Sequence, residues 1–400
     1  MASIENSGAV QASSPPEPET AVKVPDMDGA AGASKIRVIT VNRNTYAAKW
    51  NSKVLHHIKD ALLKDPEVDL TTIVSPVYSK SLQSIKSRSV AKPGSSSTSS
   101  VSFELDATDP SAIILGPSAE LRALLGDCNE QLSETIVHLV RDGQVLHTWG
   151  SSAKVVRVGE GHVVKATNDE TSARTEYHGL KYLQKCLPSF PAPRGHGLIS
   201  SKGLWLLFTT WIPGLTLEKA WSRLEGIQKR NISGQLDTLF SSLRSLPFPE
   251  NTPLGGIDGQ GCRDARRWLR TNSEPITNIE QFEDFIFSAS RAASPIYTQL
   301  LRDLRSDLLT KCNFTHGDLR PANIIVDEDE DGTWKIVGVV DWESSGFYPD
   351  YWETVKMTNN LVPSEESDWY RYLPQTLSPS RYPTQWLVDR LWDSSMENGG

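Results

Sequence analysis

Residues Phe314 to Glu343 read FTHGDLRPANIIVDEDEDGTWKIVGVVDWE, and no other stretch narrows the fold as much. Two short β-branched runs, NIIV and KIVGVV, flank the acidic run DEDEDG. Apolar runs of this length, bounded by turn residues, read as buried strands. The acidic run is then the exposed tip of a hairpin. Antiparallel pairing across it brings Asn323, at the start of one strand, near Asp341, at the end of the other. Asp318 lies just upstream of the same end, behind Gly317, which is free to take an unusual backbone angle. Two carboxylates and an amide therefore converge at one edge of a small ribbon. Hard oxygen ligands of this kind hold Mg²⁺ while phosphate oxygens complete its shell. A further, unliganded carboxylate can accept a proton from an attacking hydroxyl. Taken singly, Asp318 capping a turn or Asp341 paired with an arginine is ordinary. The joint pattern H-G-D-x-x-x-x-N, followed by a strand ending in Asp, rarely arises by chance.

The chain has 400 residues and a formal charge of -8, a length that calls for a bilobal unit or two domains with tails. The acidic balance argues against a nucleic-acid binder, which carries a basic patch. Cys128, Cys186, Cys262 and Cys312 show no C-x-x-C spacing and read as reduced thiols of a cytoplasmic protein. The N-terminus lacks a basic start and an apolar core, so no signal peptide is expected. The apolar run LWLLFTTWI is too short to span a bilayer, and no membrane partner is expected. The sequons at Asn231 and Asn313 read as chance matches.

Residues 1–34 are small, polar and Pro-containing and read as a disordered tail. Residues 35–80 read as a small accessory segment or a poorly ordered one, with a strand at KIRVITV, a helix over Trp50–Pro66 and a strand at LTTIVSPVYS. Residues 81–108 form a Ser-rich linker. Residues 109–212 carry helical patterns at SAELRALLGDC and EQLSETIVHLVRDG, the latter sliding toward strand near VHLV. Strands follow at QVLHTWG, AKVVRVGEG and HVVKAT, with GEG as a hairpin turn. The stretch DETSARTEYHGLKYLQKCLPSFPAP reads as a helix with Leu180, Leu183 and Leu187 on one face, ended by Pro188. Two more strands flank the turn SSKG. Residues 213–395 are mainly helical, at TLEKAWSRL, ISGQLDTLFSSLRSL, NIEQFEDFIFSASR and SPIYTQLLRDLRSDLLTKC, with a capping-box pattern from Thr277 to Glu280. DEDEDG has EF-hand spacing at Asp327, Asp329 and Asp331, but Gly338 stands where the loop needs Glu. Of the twelve tryptophans, Trp211, Trp221 and Trp268 read as packing residues, with Trp342 open because it adjoins the metal ligand.

HGDLRPAN with VVDWE resembles the catalytic and metal segments of the aminoglycoside phosphotransferase and choline kinase-like family, which has a protein-kinase-like fold. The resemblance implies an α+β, bilobal chain: a small antiparallel-sheet N-lobe and a mainly helical C-lobe, preceded by an N-terminal extension. It implies Asp318 as catalytic base, His316 as a structural residue of the catalytic loop, and Asn323 and Asp341 on Mg²⁺, with Glu343 near a second metal. Upstream it implies Lys165 on the nucleotide phosphates, Glu176 as its ion-pair partner, and backbone groups of Thr209 to Ile212, among them Thr210 and Trp211, against adenine. TWGSSAK lacks the glycine pattern of a phosphate loop; Gly150, Ser151 and Ser152 would supply amides there. GFYPDYWE and LGGIDGQGCRDARRWL also resemble this group, above all its fungal members, the latter preceding the helices of the acceptor pocket.

The implied function is ATP- and Mg²⁺-dependent transfer of a phosphoryl group to a hydroxyl of a small molecule. The competing reading is a catalytically silent pseudo-kinase, a nucleotide-binding or interaction module whose N-terminal extension is the working part. A protein kinase is disfavoured, because no segment ending in A-P-E follows DWE. The acidic residues Glu280, Glu283 and Asp284 read either as the lining of a pocket for a cationic amine or as a solvated helix face.

Overall fold

The computed structural model describes residues 46–74, scattered positions between 78 and 110, and then 111–126, 131–149, 153–264, 270–272, 274–288, 293–305 and 311–397. The expected strand Lys35–Val41, the Ser-rich stretch Ser84–Ser102 and Trp268 lie outside these residues. Helix α1 (Tyr46–Lys64) covers the expected helix and begins before Trp50. Helix α2 (Leu70–Ile73) stands where the strand LTTIVSPVYS was expected. The Asp69 carboxylate accepts the Thr71 N–H at 2.9 Å, and this local cap overrides the strand propensity of the Thr and Ile residues.

The first lobe is a six-stranded sheet, entirely antiparallel, in the order β1-β5-β6-β4-β3-β2. In chain order its elements are β1 (Ser111–Leu115), α3 (Ala119–Leu125), α4 (Leu132–Asp142), β2 (Gln144–Trp149), β3 (Ala153–Val158), β4 (His162–Thr167), α5 (Glu170–Cys186), β5 (Gly195–Ser201) and β6 (Leu204–Thr210). Lys202 and Gly203 turn the β5–β6 hairpin at φ 44° and 81°, the left-handed pair a two-residue hairpin requires. Helix α4 runs through VHLV without becoming strand. Leu132, Ile136 and Val140 recur at helical spacing and are all buried. They join α3 and the outer sheet face in one core with Val156, Val164 and Phe208. The other sheet face packs Leu198 and Leu207 against Ala173 and Tyr177 of α5.

The second lobe holds β7 (Leu215–Thr216), α6 (Leu217–Ala220), α7 (Gly226–Arg244), β8 (Arg263–Asp264), β9 (Arg270–Thr271), α8 (Ile279–Phe287), α9 (Pro295–Asp303), β10 (Cys312–Thr315), β11 (Ile324–Glu328), β12 (Trp334–Val339), β13 (Gly346–Pro349), α10 (Trp352–Met357) and α11 (Pro383–Glu397). Asn278, not Thr277, caps α8 and accepts the Gln281 N–H at 2.9 Å. Cys312 opens β10 rather than closing a helix, and it pairs with Pro349 at the end of β13. The expected hairpin is β11–β12, with Ile324 opposite Val339. Helix α7 holds it in place: the Gln235 side chain donates to the Trp334 carbonyl and accepts the Ile336 N–H, both at 2.9 Å. Glu283 pairs with Arg305 at 2.8 Å, and Asp284 pairs with Arg302.

Candidate active site

The hairpin edge behaves as its sequence requires. The Val340 N–H donates to the Asn323 carbonyl at 2.9 Å, so the ends of β11 and β12 meet. The Asn323 side-chain nitrogen donates to the Asp318 carbonyl at 2.8 Å and to its Oδ2 at 3.0 Å. Arg320 Nε reaches the same Oδ2 at 3.2 Å. Asp318 Oδ1 is left without a partner among the described residues.

His316 is fully buried. Its Nδ1 accepts the Asp318 N–H at 3.1 Å, and its Nε2 lies 3.0 Å from the Val340 carbonyl. That pattern requires the proton on Nε2. Gly317 sits at φ 81°, and a Cβ there would lie 2.4 Å from the Ser344 carbonyl oxygen. Any side chain would therefore push the His316–Asp318 loop off the segment that follows Asp341. Glu353 closes the loop from below, its carboxylate accepting the His316 N–H at 2.6 Å and the Gly317 N–H at 3.3 Å. Burial raises its pKa, against the pull of His316 and those two amides. Nothing in GFYPDYWE singles out Glu353: the run holds two acidic residues, Asp350 and Glu353, among apolar and aromatic ones, and only the fold sets Glu353 under His316.

Lys165 is buried beside this edge. Its Nζ donates to Glu176 Oε2 and Glu343 Oε2, each at 2.8 Å, and to Asp341 Oδ1. Strand β4 brings the ammonium in, helix α5 brings Glu176, and the loop after β12 brings Asp341 and Glu343. The three carboxylates lie close enough to share one ion. Three negative charges around one ammonium leave a formal excess of two. The titration behaviour fits that excess. Burial pushes Glu176 up to about 7, with Lys165 opposing and Asp341 adding to the rise. Asp341 is also disfavoured by burial, yet Lys165 holds it below its ordinary value. The Asp341 backbone adopts φ 69°, a left-handed conformation that costs a non-glycine residue on the order of 1 kcal/mol. Trp342 points the other way. It is fully buried, lies 4.5 Å from the His316 ring and donates to the Val339 carbonyl at 2.7 Å. It is a core residue, not part of the cleft.

A cavity of about 280 Å³ opens here, lined by Lys165, Thr167, Asp169, Asp318, Arg320 and Glu343 among others. A larger open depression, about 510 Å³, lies beside α4 and away from all these groups. Glycine 150, Ser151 and Ser152 lie outside the described residues. Of the inter-lobe connection, the Thr210 N–H donates to the Arg194 carbonyl at 3.1 Å and the Trp211 N–H to the Gly161 carbonyl at 2.8 Å. Those two donors are therefore already engaged. Lys165 pairs with Leu207 across β4–β6, so strand alternation puts Thr209 on the cleft face. The Thr210 hydroxyl lies on the other face, 2.9 Å from His196 Nε2. Ile212 rests on the hairpin: a Cβ at Gly338 would meet its Cδ1 at 2.7 Å.

A profile of the phosphotransferase enzyme family matches residues 144–385, which is more than half of the chain and includes every group of this edge. No curated protein matches the chain. Among solved structures, it is similar to the GDP and kanamycin complex of APH(2″)-IIIa, with a TM-score of 0.44 at 15% identity over 65% of this chain and 88% of that one. The streptomycin–ATP–APH(2″)-IIa complex gives 0.43 at 12% identity over 67% and 87%. APH(3″)-Id from Streptomyces rimosus gives 0.36 at 14% identity over 66% and 91%.

Proposed function

The chain belongs to the phosphotransferase enzyme family, and from that premise we propose that it moves the γ-phosphoryl group of ATP to a hydroxyl of a small molecule. One observation carries the reading: Lys165, Asp318 and Asp341, drawn from both lobes, line one cleft, with Asn323 hydrogen-bonded to Asp318 behind it. In this reading Asp318 Oδ1 orients the acceptor hydroxyl and takes its proton. His316 fixes the Asp318 backbone, and Asn323 fixes its other oxygen. Lys165 turns from the carboxylates to the nucleotide phosphates, while Glu176 keeps it aligned. Asn323 and Asp341 would hold Mg²⁺, with Glu343 beside it. The excess negative charge around Lys165 fits a divalent cation, which would neutralise charge on the phosphates when bound. Main-chain groups of Thr209 to Ile212, other than the two engaged N–H donors, would face the purine edge.

The test is a metabolite extract incubated with the purified full chain and Mg·ATP, read by mass spectrometry. The expected result is a compound gaining one phosphoryl group with the wild type and none with Asp318→Ala. Equal phosphorylation by Asp318→Ala, or no phosphorylated product from any extract, contradicts the proposal.

A further inference from the structure

Helix α5 carries Glu176, and a glycine-rich segment of the helical lobe runs alongside it. Residues 255–264 include LGGIDGQGCRD from its second residue onward. The segment leaves β13 through main-chain bonds between Gly255 and Phe347, at 2.8 and 2.9 Å. It turns back on itself with Gly259 at φ 75° and Gly261 at φ 74°. A Cβ on Gly255 would lie 2.1 Å from the Gly261 carbonyl carbon, so the turn closes only with glycine there. Its end is fastened again, because the Arg263 N–H donates to the Tyr348 hydroxyl of β13 at 3.2 Å.

One ion pair and one imidazole–carboxylate contact join this segment to α5. Arg263 Nη2 meets Asp169 Oδ2 at 2.7 Å, and Asp258 Oδ2 meets His178 Nε2 at 3.1 Å. Asp169 is the N-cap of α5, accepting the Ser172 N–H at 3.1 Å. His178 lies past Glu176, so the two contacts bracket it. The same helix touches the loop after Asp341: a Cβ at Gly179 would lie 2.3 Å from Ser345 Oγ. Arg263 is buried, and a buried guanidinium is retained only with its partner. Asp258 is exposed, and a pair of that kind is weak.

We propose that residues 255–264 form a positioning strap that clamps α5 through Arg263–Asp169 and Asp258–His178, and so holds Glu176 against Lys165. The strap itself stands on geometry; its effect on nucleotide binding rests on the reading of Lys165 as a phosphate-binding residue. Arg263 acts through Asp169 and α5 and is a positioning residue.

Two measurements on the full chain test it: hydrogen exchange of the α5 amides, and calorimetric binding of Mg·AMP-PNP. Arg263→Ala is expected to speed exchange around Glu176 and weaken nucleotide binding about tenfold, and Arg263→Lys to recover part of both. Asp258→Asn, at an exposed site, keeps the fold and weakens binding less than about threefold. In a Glu176→Gln background, Arg263→Ala is expected to cost no further affinity, because its effect runs through Glu176. A purely structural role would lower the melting temperature without this dependence on Glu176. Unchanged α5 exchange in Arg263→Ala and Asp258→Asn overturns the strap. An undiminished affinity loss in the Glu176→Gln background overturns its link to Lys165. If the wild type binds no Mg·AMP-PNP, the functional reading fails, and the exchange result alone decides the clamp.

Discussion

Two of the protein's clusters of buried charge are built differently. In the helical lobe, Asp264 is fully buried and meets both Arg270 and Lys356. Arg270 also donates to the Ile286 carbonyl at 2.9 Å. Glu283 meets Arg305 and the Tyr351 hydroxyl. Each of these carboxylates has at least one cation and a second partner, which is what a buried charge needs to be tolerated. In the cleft, Glu176, Asp341 and Glu343 crowd a single ammonium, and Asp341 holds a left-handed backbone. The first cluster is finished by folding. The second is left with an excess of carboxylate charge and a left-handed backbone at Asp341.

Mutation should separate the two clusters. The largest effect belongs to the cleft's chemistry: Asp318→Ala should lower phosphoryl transfer by about 10²–10⁴-fold. Because Asp318 is partly exposed, its melting temperature should stay close to wild type. Next comes the helical lobe, where Asp264→Ala strands two buried cations and should cost about 3–5 kcal/mol in denaturant unfolding. A stable Asp264→Ala would erase the contrast.

The third effect has the opposite sign. Glu176 titrates near 7 in the folded protein against an ordinary 4.5. Between those values the folded chain keeps a proton that the unfolded chain has lost, so this group's contribution falls as pH rises through the window. Glu176→Gln should therefore be more stable than wild type at pH 8, with the advantage shrinking toward pH 5. Melting temperatures of the ligand-free proteins across that range check it. An advantage that grows toward acid would contradict the charge excess.

Much of the cleft was legible because its signals are local. The hairpin follows from two β-branched runs around an acidic tip, and the convergence of Asn323 with Asp341 follows from the hairpin. Lys165 and Glu176 were placed by resemblance of order and spacing, not by their own chemistry. What stayed hidden depends on distant partners. VHLV has strand composition, yet Leu132, Ile136 and Val140 gain a common buried face only as a helix. Strand β10 forms because β13 pairs with it, and β1 because β5 does; neither partner is near in sequence. Glu353 and Arg263 look like ordinary charges until the fold buries them against His316 and Asp169. Trp342 follows Asp341 in sequence but turns into the core, because the left-handed backbone at Asp341 redirects the chain just past the end of β12.

The most direct test of the central claim, that the cleft carboxylates await a divalent cation brought with a nucleotide, is calorimetric titration of AMP-PNP with and without Mg²⁺. Wild type should bind at least about tenfold more tightly with Mg²⁺, and Asp341→Asn should lose that difference. Binding that is indifferent to Mg²⁺, or a Mg²⁺ dependence untouched by Asp341→Asn, would contradict the account.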